Sequence, residues 1–269
     1  MTILITGARG KIGQAIIARL HTAGLPVRAA SANPAELTVP DGVEKTELTS
    51  AAFDGVSQVF LYPSPDGVAA FIKNAQAAGV EHVVLLSSAS VLAPNADNDP
   101  LALESLLVER ALAASDLTCT FLRPDAFATN ALGWAYQPKP IHHAYPDATI
   151  APIHPEDIAD IAVEALTGTA LRGRHITLTG PEQLSFREQL AVISEVTGRD
   201  FPIVKITHEE AEIQMGRFMP PNMAGSLLAL WAAATEHPVA IAETTHSLLN
   251  RPTRTFRQWV AENSGAFLS

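Results

Sequence analysis

The chain is poor in cysteine and in positive charge, and each shortage excludes a class of protein. Its 269 residues include one cysteine, Cys119, so no disulfide can form within the chain. Cys119 lies in the apolar segment 118–122, where we expect a packed, unreactive thiol. Lysine and arginine total 18 against 28 acidic residues, the net charge is −10, and the basic residues form no cluster. General nucleic-acid binding is therefore excluded, because it needs a basic surface.

Long hydrophobic runs are also missing. The apolar stretch Met223–Ala234 is far shorter than the roughly 20 residues needed to cross a bilayer. The first residues, MTILITG, have the pattern of a strand and not the charged segment, apolar core and cleavage site of a signal peptide. We therefore expect a cytoplasmic protein that does not bind membranes.

Apolar residues make up 47% of the chain and are arranged as alternating strand and helix patterns. Repeated strand–helix units with continuously apolar strands indicate an α/β fold with a doubly wound parallel sheet of the Rossmann type. We expect the Rossmann core at residues 1–130 and a smaller, mostly helical C-terminal cap region at 131–269. The cap is interleaved with the last Rossmann elements at 153–180. Strands are predicted at 2–6, 27–31, 43–46, 56–61, 83–87, 117–122 and 174–179, and helices at 11–23, 65–78, 101–114, 155–166 and 185–196. Residues 131–150 show no clear period, and 208–264 are predicted to be mostly helical.

A glycine-rich segment, TGARGKIG, follows the first predicted strand and opens the first predicted helix. Gly7 permits the sharp turn, Gly10 lets the backbone approach a pyrophosphate, and Gly13 lets the helix pack close to the strand. Amide groups and the dipole at the start of the helix favour the negative charge. The core is therefore predicted to bind NAD(P), and the alternative is a structural glycine turn that has lost its ligand. The loop residues assigned to the cofactor are Gly7, Ala8, Arg9, Gly10, Lys11, Ile12 and Gly13.

The end of the second predicted strand bears on the choice between NAD and NADP. An acidic residue there would hold the ribose 2′-hydroxyl, but residues 28–33 read RAASAN and contain none. Arg9 could pair with a 2′-phosphate, to which Ser31 and Asn33 could donate hydrogen bonds. The sequence therefore favours NADP(H), with NAD(H) as the alternative and no metal. A solvated loop charge is the alternative role of Arg9.

The order of several motifs resembles the NmrA-like group of atypical short-chain dehydrogenases/reductases over nearly the whole chain. The segments that carry the resemblance are TGARGKIG, VRAASANP, AAFDGVSQVF, AAGVEHVVLLSS, PLALESLLVERALAASDLTCTFLRPDAFATN, IHPEDIADIAVEAL, HITLTGPEQLSFREQLAVISEVTGR and RPTRTFRQWVAEN. The resemblance implies a Rossmann fold and an NAD(P) cofactor. The group includes reductases of quinones and dyes as well as cofactor-sensing regulators. The chain departs from the group at Ala32, where an arginine often holds the 2′-phosphate, and at Leu101 and Ser105, where the wider superfamily has its Tyr-Lys pair.

Residues at the carboxyl ends of the predicted strands are the remaining candidates for the site, because ligands of such sheets bind there. Ser88 resembles the active-site serine of the superfamily in position, with a strand-end cap or a cofactor contact as the alternative. Phe127 is either a contact of the nicotinamide or the substrate, or a core residue. Glu104 and Glu109 are interpreted as helix surface or as an ion pair with Arg123, without a catalytic role. Further cofactor candidates are Ser31, Asn33, Tyr62, Pro63, Ser64, Ser87, Ser88 and Phe127. Candidates for the substrate pocket are Pro124, Asp125, Trp134, Tyr136, His143 and Tyr145, and weak catalytic candidates are Ser88, His143 and His154.

Three functions fit these observations. The first is an NAD(P)H-dependent reductase of a quinone or another conjugated aromatic small molecule, because such an acceptor can collect its proton from water. The second is a non-catalytic NAD(P) redox sensor acting through a protein partner, and the third is a natural-product tailoring enzyme. The sequence leaves open whether the chain forms a homodimer.

Overall fold

The computed structural model describes residues 2–249 and 251–268. Its strands are β1 (Thr2–Ile5), β2 (Val27–Ala30), β3 (Glu44–Thr46), β4 (Val56–Leu61), β5 (His82–Leu86), β6 (Cys119–Pro124), β7 (Ile141–His143), β8 (Thr149–Ile150), β9 (His175–Leu178), β10 (Leu184–Ser185) and β11 (Ile203–Lys205). Its α-helices are α1 (Lys11–Thr22), α2 (Val68–Ala77), α3 (Pro100–Ala113), α4 (Pro155–Thr167), α5 (Phe186–Thr197), α6 (His208–Met215), α7 (Pro221–Glu236), α8 (Glu243–Leu249) and α9 (Phe256–Glu262). Short 3₁₀ turns join several of them.

The described residues divide into two compact units. The first contains residues 2–97, 102–124 and 155–177 and is built on a sheet with the strand order β3-β2-β1-β4-β5-β6-β9. Neighbouring strands from β3 to β6 pair in parallel. The chain leaves β1 in one direction toward β2 and β3 and later continues on the other side with β4. Such a reversal between β1 and β4 is the topological switch point at which doubly wound sheets bind ligands.

Apolar residues explain why these segments form a sheet covered by helices. All five residues of β5 are buried, as expected for a central strand with helices on both faces. On α1, Ile16, Ile17 and Leu20 are buried along one face. Arg19 of the same helix donates to the carboxylates of Glu156 and Asp160 on α4, which ties the two helices together. The predicted Rossmann fold is confirmed.

The second unit contains residues 98–101, 125–154 and 178–268, apart from 250. It combines α5 to α9 with two small sheets, in which β7 pairs in parallel with β11 and β8 pairs antiparallel with β10. Ser185 and Glu188 form a capping box at the start of α5, as its sequence predicts. Gly198 ends that helix at φ 68°, a left-handed conformation that favours glycine.

Some local predictions needed correction. Residues 131–150, which show no period, contain the short strands β7 and β8, too brief to leave a pattern in the sequence. Cys119 is half-buried and not fully buried, and burial raises the pKa of its thiol to about 12. A neutral thiol is a poor nucleophile, so the expectation of an unreactive cysteine stands.

The described part of the chain lacks two features. None of its helices is long and apolar enough to cross a membrane. In the same residues, no group of three or more histidine, cysteine or acidic side chains is placed to hold a metal ion.

Candidate cofactor site and active site

The glycine loop joins β1 to α1 in the first unit and is shaped by backbone contacts. Gly7 adopts φ 62°, and a Cβ added to it would lie 2.9 Å from the Cβ of Tyr62. Gly10 precedes α1 in an extended conformation, and its amide donates to the Gly7 carbonyl at 2.9 Å. A side chain at Gly7 would therefore collide with Tyr62, and a Cβ at Gly10 would lie 3.3 Å from the Gly7 carbonyl oxygen.

Gly13 sets how closely α1 approaches the loop. A Cβ added there would lie 2.5 Å from the carbonyl oxygen of Gly7 and 3.2 Å from the Cα of Ala8. The amide groups in the first turn of a helix have no carbonyl partners within that helix, and they carry the positive end of its dipole. The loop therefore has the shape and polarity to hold a pyrophosphate, with the backbone of residues 7–13 around it.

A cavity of about 550 Å³ lies beside this loop, at the carboxyl ends of β1, β2 and β4. At its base the Tyr62 amide donates to Thr6 Oγ1 at 2.7 Å, which fixes the ends of β1 and β4 together. The predicted residues Gly7, Ser31, Tyr62, Pro63 and Ser64 all line the cavity. The other lining residues are Thr6, Ala30, Ala32, Glu47, Leu48, Thr49, Leu61, Gly67, Val68 and Phe71.

Part of this lining was not predicted from the sequence. Glu47, Leu48 and Thr49 follow β3, which neighbours β2 in the sheet. The short strand at 43–46 was predicted, but its place at the sheet edge next to β2 was not. Residues 47–49 would have been predicted to line the site if the position of β3 beside β2 had been known.

Arg9 has a partner that the sequence did not indicate. Its guanidinium lies 2.9 Å from a carboxylate oxygen of Glu36, and both side chains are exposed, at 61% and 53%. Glu36 belongs to the 3₁₀ turn Pro34–Glu36 that follows β2. In the same turn, the amide of Asn33 donates to Ser31 Oγ at 3.2 Å. An acidic residue therefore does lie near the end of β2, three positions beyond the segment 28–33, which contains none.

A buried ion pair connects the ends of β5 and β6. Arg123 donates from Nε and Nη2 to the two carboxylate oxygens of Glu109, at 2.9 and 2.6 Å. The Ser87 hydroxyl donates to the same carboxylate. Because Glu109 is only 6% exposed, its interpretation as helix surface is wrong and the ion pair with Arg123 is confirmed. Glu104, by contrast, is exposed.

Ser88 caps the turn that follows β5, which is the structural alternative to its predicted catalytic role. Its hydroxyl accepts from the Ser90 amide at 3.2 Å and caps the 3₁₀ turn Ala89–Leu92. Ser88 Oγ and Ser90 Oγ are 2.8 Å apart and share a second hydrogen bond. The catalytic role of Ser88 stays a prediction. Pro124, a candidate for the substrate pocket, is buried at the end of β6.

The remaining candidates belong to the second unit and differ in accessibility. Burial raises the pKa of the Asp125 carboxyl, against a hydrogen bond from the Ala126 amide that lowers it. Phe127 is half-buried and forms a parallel bridge with Ile153. Trp134 packs edge-on against Phe186 in the core of this unit.

His143 lies among aromatic rings of the second unit. Its ring centroid is 4.2 Å from that of Phe186 and 4.6 Å from that of Trp231. Burial lowers the pKa of His143 to about 4, and its Nδ1 accepts a hydrogen bond from the Tyr145 amide at 3.1 Å. At neutral pH the ring is therefore uncharged and carries its proton on Nε2. His143 can donate a hydrogen bond there, but it is not an imidazolium acid.

Two other polar candidates of this unit, Tyr145 and His154, have partners as well. Tyr145 Oη and His208 Nδ1 are 2.8 Å apart, whereas Tyr136 is 81% exposed. His154 is buried, and its Nε2 lies 3.1 Å from a carboxylate oxygen of Glu262. The structure thus brings His143 and Tyr145 together through their hydrogen bond. Phe186 and His208 were missed because they are distant in sequence from the residues that they contact.

Known proteins with similar sequences place the chain in a family. A family model described as NAD(P)H-binding matches residues 7–169. A (4-alkanoyl-5-oxo-2,5-dihydrofuran-3-yl)methyl phosphate reductase of Streptomyces griseus subsp. griseus is 36% identical, over 98% of this chain and 99% of the relative. The chain belongs to the NmrA-like atypical short-chain dehydrogenases/reductases. This NmrA-like protein is also 30% identical to an NAD(P)H azoreductase of Xenophilus azovorans, over 98% of this chain and 99% of that one.

A solved structure shares the fold of this NmrA-like protein. The NADPH-dependent quinone oxidoreductase of Escherichia coli superimposes with a TM-score of 0.80 at 24% identity, covering 99% of this chain and 100% of that chain. The predicted family, the NAD(P)H cofactor class and the oxidoreductase class are confirmed. This NmrA-like protein is an NAD(P)H-dependent oxidoreductase.

Proposed function

We propose that this NmrA-like enzyme transfers a hydride from NADPH to a quinone or another conjugated, aromatic small molecule. The observation that carries the proposal is the backbone cradle at the start of α1, where an added Gly13 Cβ would lie 2.5 Å from the Gly7 carbonyl oxygen. When bound, a nicotinamide dinucleotide supplies the hydride. The loop backbone of residues 7–13 binds the pyrophosphate, and the cavity beside Tyr62 orients the adenosine end.

The proton requirement favours a conjugated acceptor. Leu101 and Ser105 occupy the positions at which the wider superfamily carries its tyrosine and lysine, and neither side chain can protonate a carbonyl product. His143 is a neutral hydrogen-bond donor, because burial lowers its pKa to about 4. A quinone or an azo compound collects its proton from water after hydride transfer, so it needs no such acid. The azoreductase relative agrees with this class of acceptor.

An acylated oxo-dihydrofuran phosphate is a second candidate acceptor. The observation in its favour is the 36% identity to the Streptomyces reductase, whose name gives such a compound as substrate. If such a furan phosphate is the acceptor, the enzyme tailors a natural product. We assign acceptor recognition to the candidates of the second unit, Asp125, Trp134, Tyr136, His143 and Tyr145, of which Tyr136 is the most exposed aromatic.

Oxidation of NADPH tests the proposal directly. The purified chain is mixed with NADPH and, separately, a benzoquinone, a naphthoquinone, an azo dye and an acyl-oxo-dihydrofuran phosphate, and absorbance at 340 nm is followed. We expect turnover with at least one quinone or azo dye. Turnover with the furan alone would favour the second candidate, and no turnover with any acceptor would refute both.

A pair of glycine variants ties the activity to the loop. Gly10→Asp places a carboxylate in front of α1, where the pyrophosphate is expected, and should lower NADPH affinity more than about 100-fold. Gly265→Asp is the matched control, because Gly265 is exposed and a Cβ added there meets no atom within 4 Å. Calorimetry with NADPH measures both variants. Tight NADPH binding by Gly10→Asp would contradict the placement of the pyrophosphate.

A further inference from the structure

The Arg9–Glu36 ion pair lies where the two nicotinamide dinucleotides differ. Residues at the end of β2 in a Rossmann sheet contact the adenosine ribose, whose 2′ position carries a hydroxyl in NADH and a phosphate in NADPH. Arg9 reaches this region from the glycine loop, and Glu36 reaches it from the turn after β2. Their charged atoms are 2.9 Å apart, so a ligand that approaches one of them also meets the other.

We propose that Glu36 is a specificity-determining residue that opposes Arg9 and reduces the preference of the enzyme for NADPH over NADH. Arg9 attracts a dianionic 2′-phosphate, whereas the carboxylate of Glu36 repels it and occupies the guanidinium that would bind it. The same carboxylate can accept a hydrogen bond from the 2′-hydroxyl of NADH. The two residues therefore act in opposite directions on cofactor choice, and the enzyme uses both cofactors.

The exposure of the pair sets the size of the effect. Side chains that are 61% and 53% exposed form an ion pair that water and salt weaken, so a 2′-phosphate can displace Glu36 from Arg9. The repulsion between one carboxylate and a dianion across a guanidinium, in a largely aqueous setting, corresponds to about a five-fold change in affinity. This inference rests on the proposed use of NADPH at the glycine loop.

Binding of cofactors to three variants tests the inference without measuring turnover. Calorimetry compares NADPH with NADH, and adenosine 2′,5′-bisphosphate with adenosine 5′-monophosphate, so that the second pair isolates the phosphate. Glu36→Gln should tighten NADPH and the bisphosphate about five-fold, and leave NADH unchanged or weaker. Arg9→Gln should weaken NADPH about ten-fold, with less than about a two-fold change for NADH.

Glu81→Gln is the matched control for the loss of one negative charge. Glu81 is also exposed and paired with an arginine, Arg172, at 3.6 Å, but it precedes β5 and so lies at the amino ends of the parallel strands, opposite the end that carries the glycine loop. This variant should change the affinities for NADPH and NADH equally and by less than about two-fold.

The outcomes separate this inference from the proposal on which it rests. If Glu36→Gln binds both cofactors but leaves the ratio of their affinities within two-fold of the wild-type ratio, the inference is wrong and the glycine-loop site stands. If the wild-type chain binds neither cofactor, the proposed function and the inference both fail. A ratio that rises in Glu36→Gln and not in Glu81→Gln supports the inference.

Discussion

Replacing Gly13 with alanine tests how tightly α1 packs against the phosphate loop. The new Cβ would lie 2.5 Å from the Gly7 carbonyl oxygen, so the backbone must move by about 0.9 Å to restore the 3.4 Å of an ordinary contact. Overpacking against atoms that cannot rotate away costs about 2–3 kcal/mol. Alanine in a helix gains about 1 kcal/mol over glycine. The expected net loss is about 1–2 kcal/mol, together with at least a ten-fold loss of NADPH affinity from the displaced loop.

Gly225→Ala provides the matched control. Gly225 lies inside α7, and a Cβ added there meets no atom within 4 Å. The substitution therefore gains the same helix propensity without the clash, and should stabilise the protein by up to about 1 kcal/mol. It should leave NADPH affinity unchanged.

The assay must report on the unit that carries each change. All three tryptophans, Trp134, Trp231 and Trp259, belong to the second unit, so their fluorescence follows that unit alone. Urea unfolding is therefore monitored by far-ultraviolet circular dichroism, with tryptophan fluorescence as the separate reading for Gly225→Ala. If Gly13→Ala is as stable as Gly225→Ala and binds NADPH normally, the reasoning about the loop is refuted.

Two further perturbations concern buried titratable groups. Burial lowers the pKa values of His82 and His143 to about 4, below the ordinary 6.5, so each contributes stability that is complete above pH 6.5 and is lost as the pH falls toward 4. Urea titrations should show a loss of about 2 kcal/mol for each histidine between pH 7.5 and 5, and a free energy of unfolding that does not change with pH would contradict this. Glu109→Gln leaves Arg123 buried without its carboxylate and should lower the free energy of unfolding by about 3 kcal/mol, measured by the same titration at pH 7.5. Glu104→Gln, at an exposed position of the same helix, should change it by less than about 0.5 kcal/mol, and equal effects of the two would refute the ion pair's contribution.

Several features were determined by the sequence itself, because they depend on residues close together in the chain. The glycines at 7, 10 and 13 specify a turn and a close helix approach whatever surrounds them, and the apolar runs specify buried strands. The box of Ser185 and Glu188 spans one helical turn, so its sequence suffices to predict it. Fold class and cofactor class follow from such local patterns repeated in order along the chain.

Tertiary structure alone decided which distant side chains meet. Glu36 has no visible relation to Arg9 in the sequence, since the two are brought together only when β2 and its turn lie beside β1. The sequence left Glu109 either on the helix surface or paired with Arg123, and only the folded chain, in which α3 brings this carboxylate to the guanidinium on β6, decides for the buried pair. The neutral state of His143 likewise depends on rings that the chain supplies from α5 and α7. Periodicity records which face of an element is apolar, but electrostatic environment depends on every neighbour in space, and those neighbours come from the whole fold.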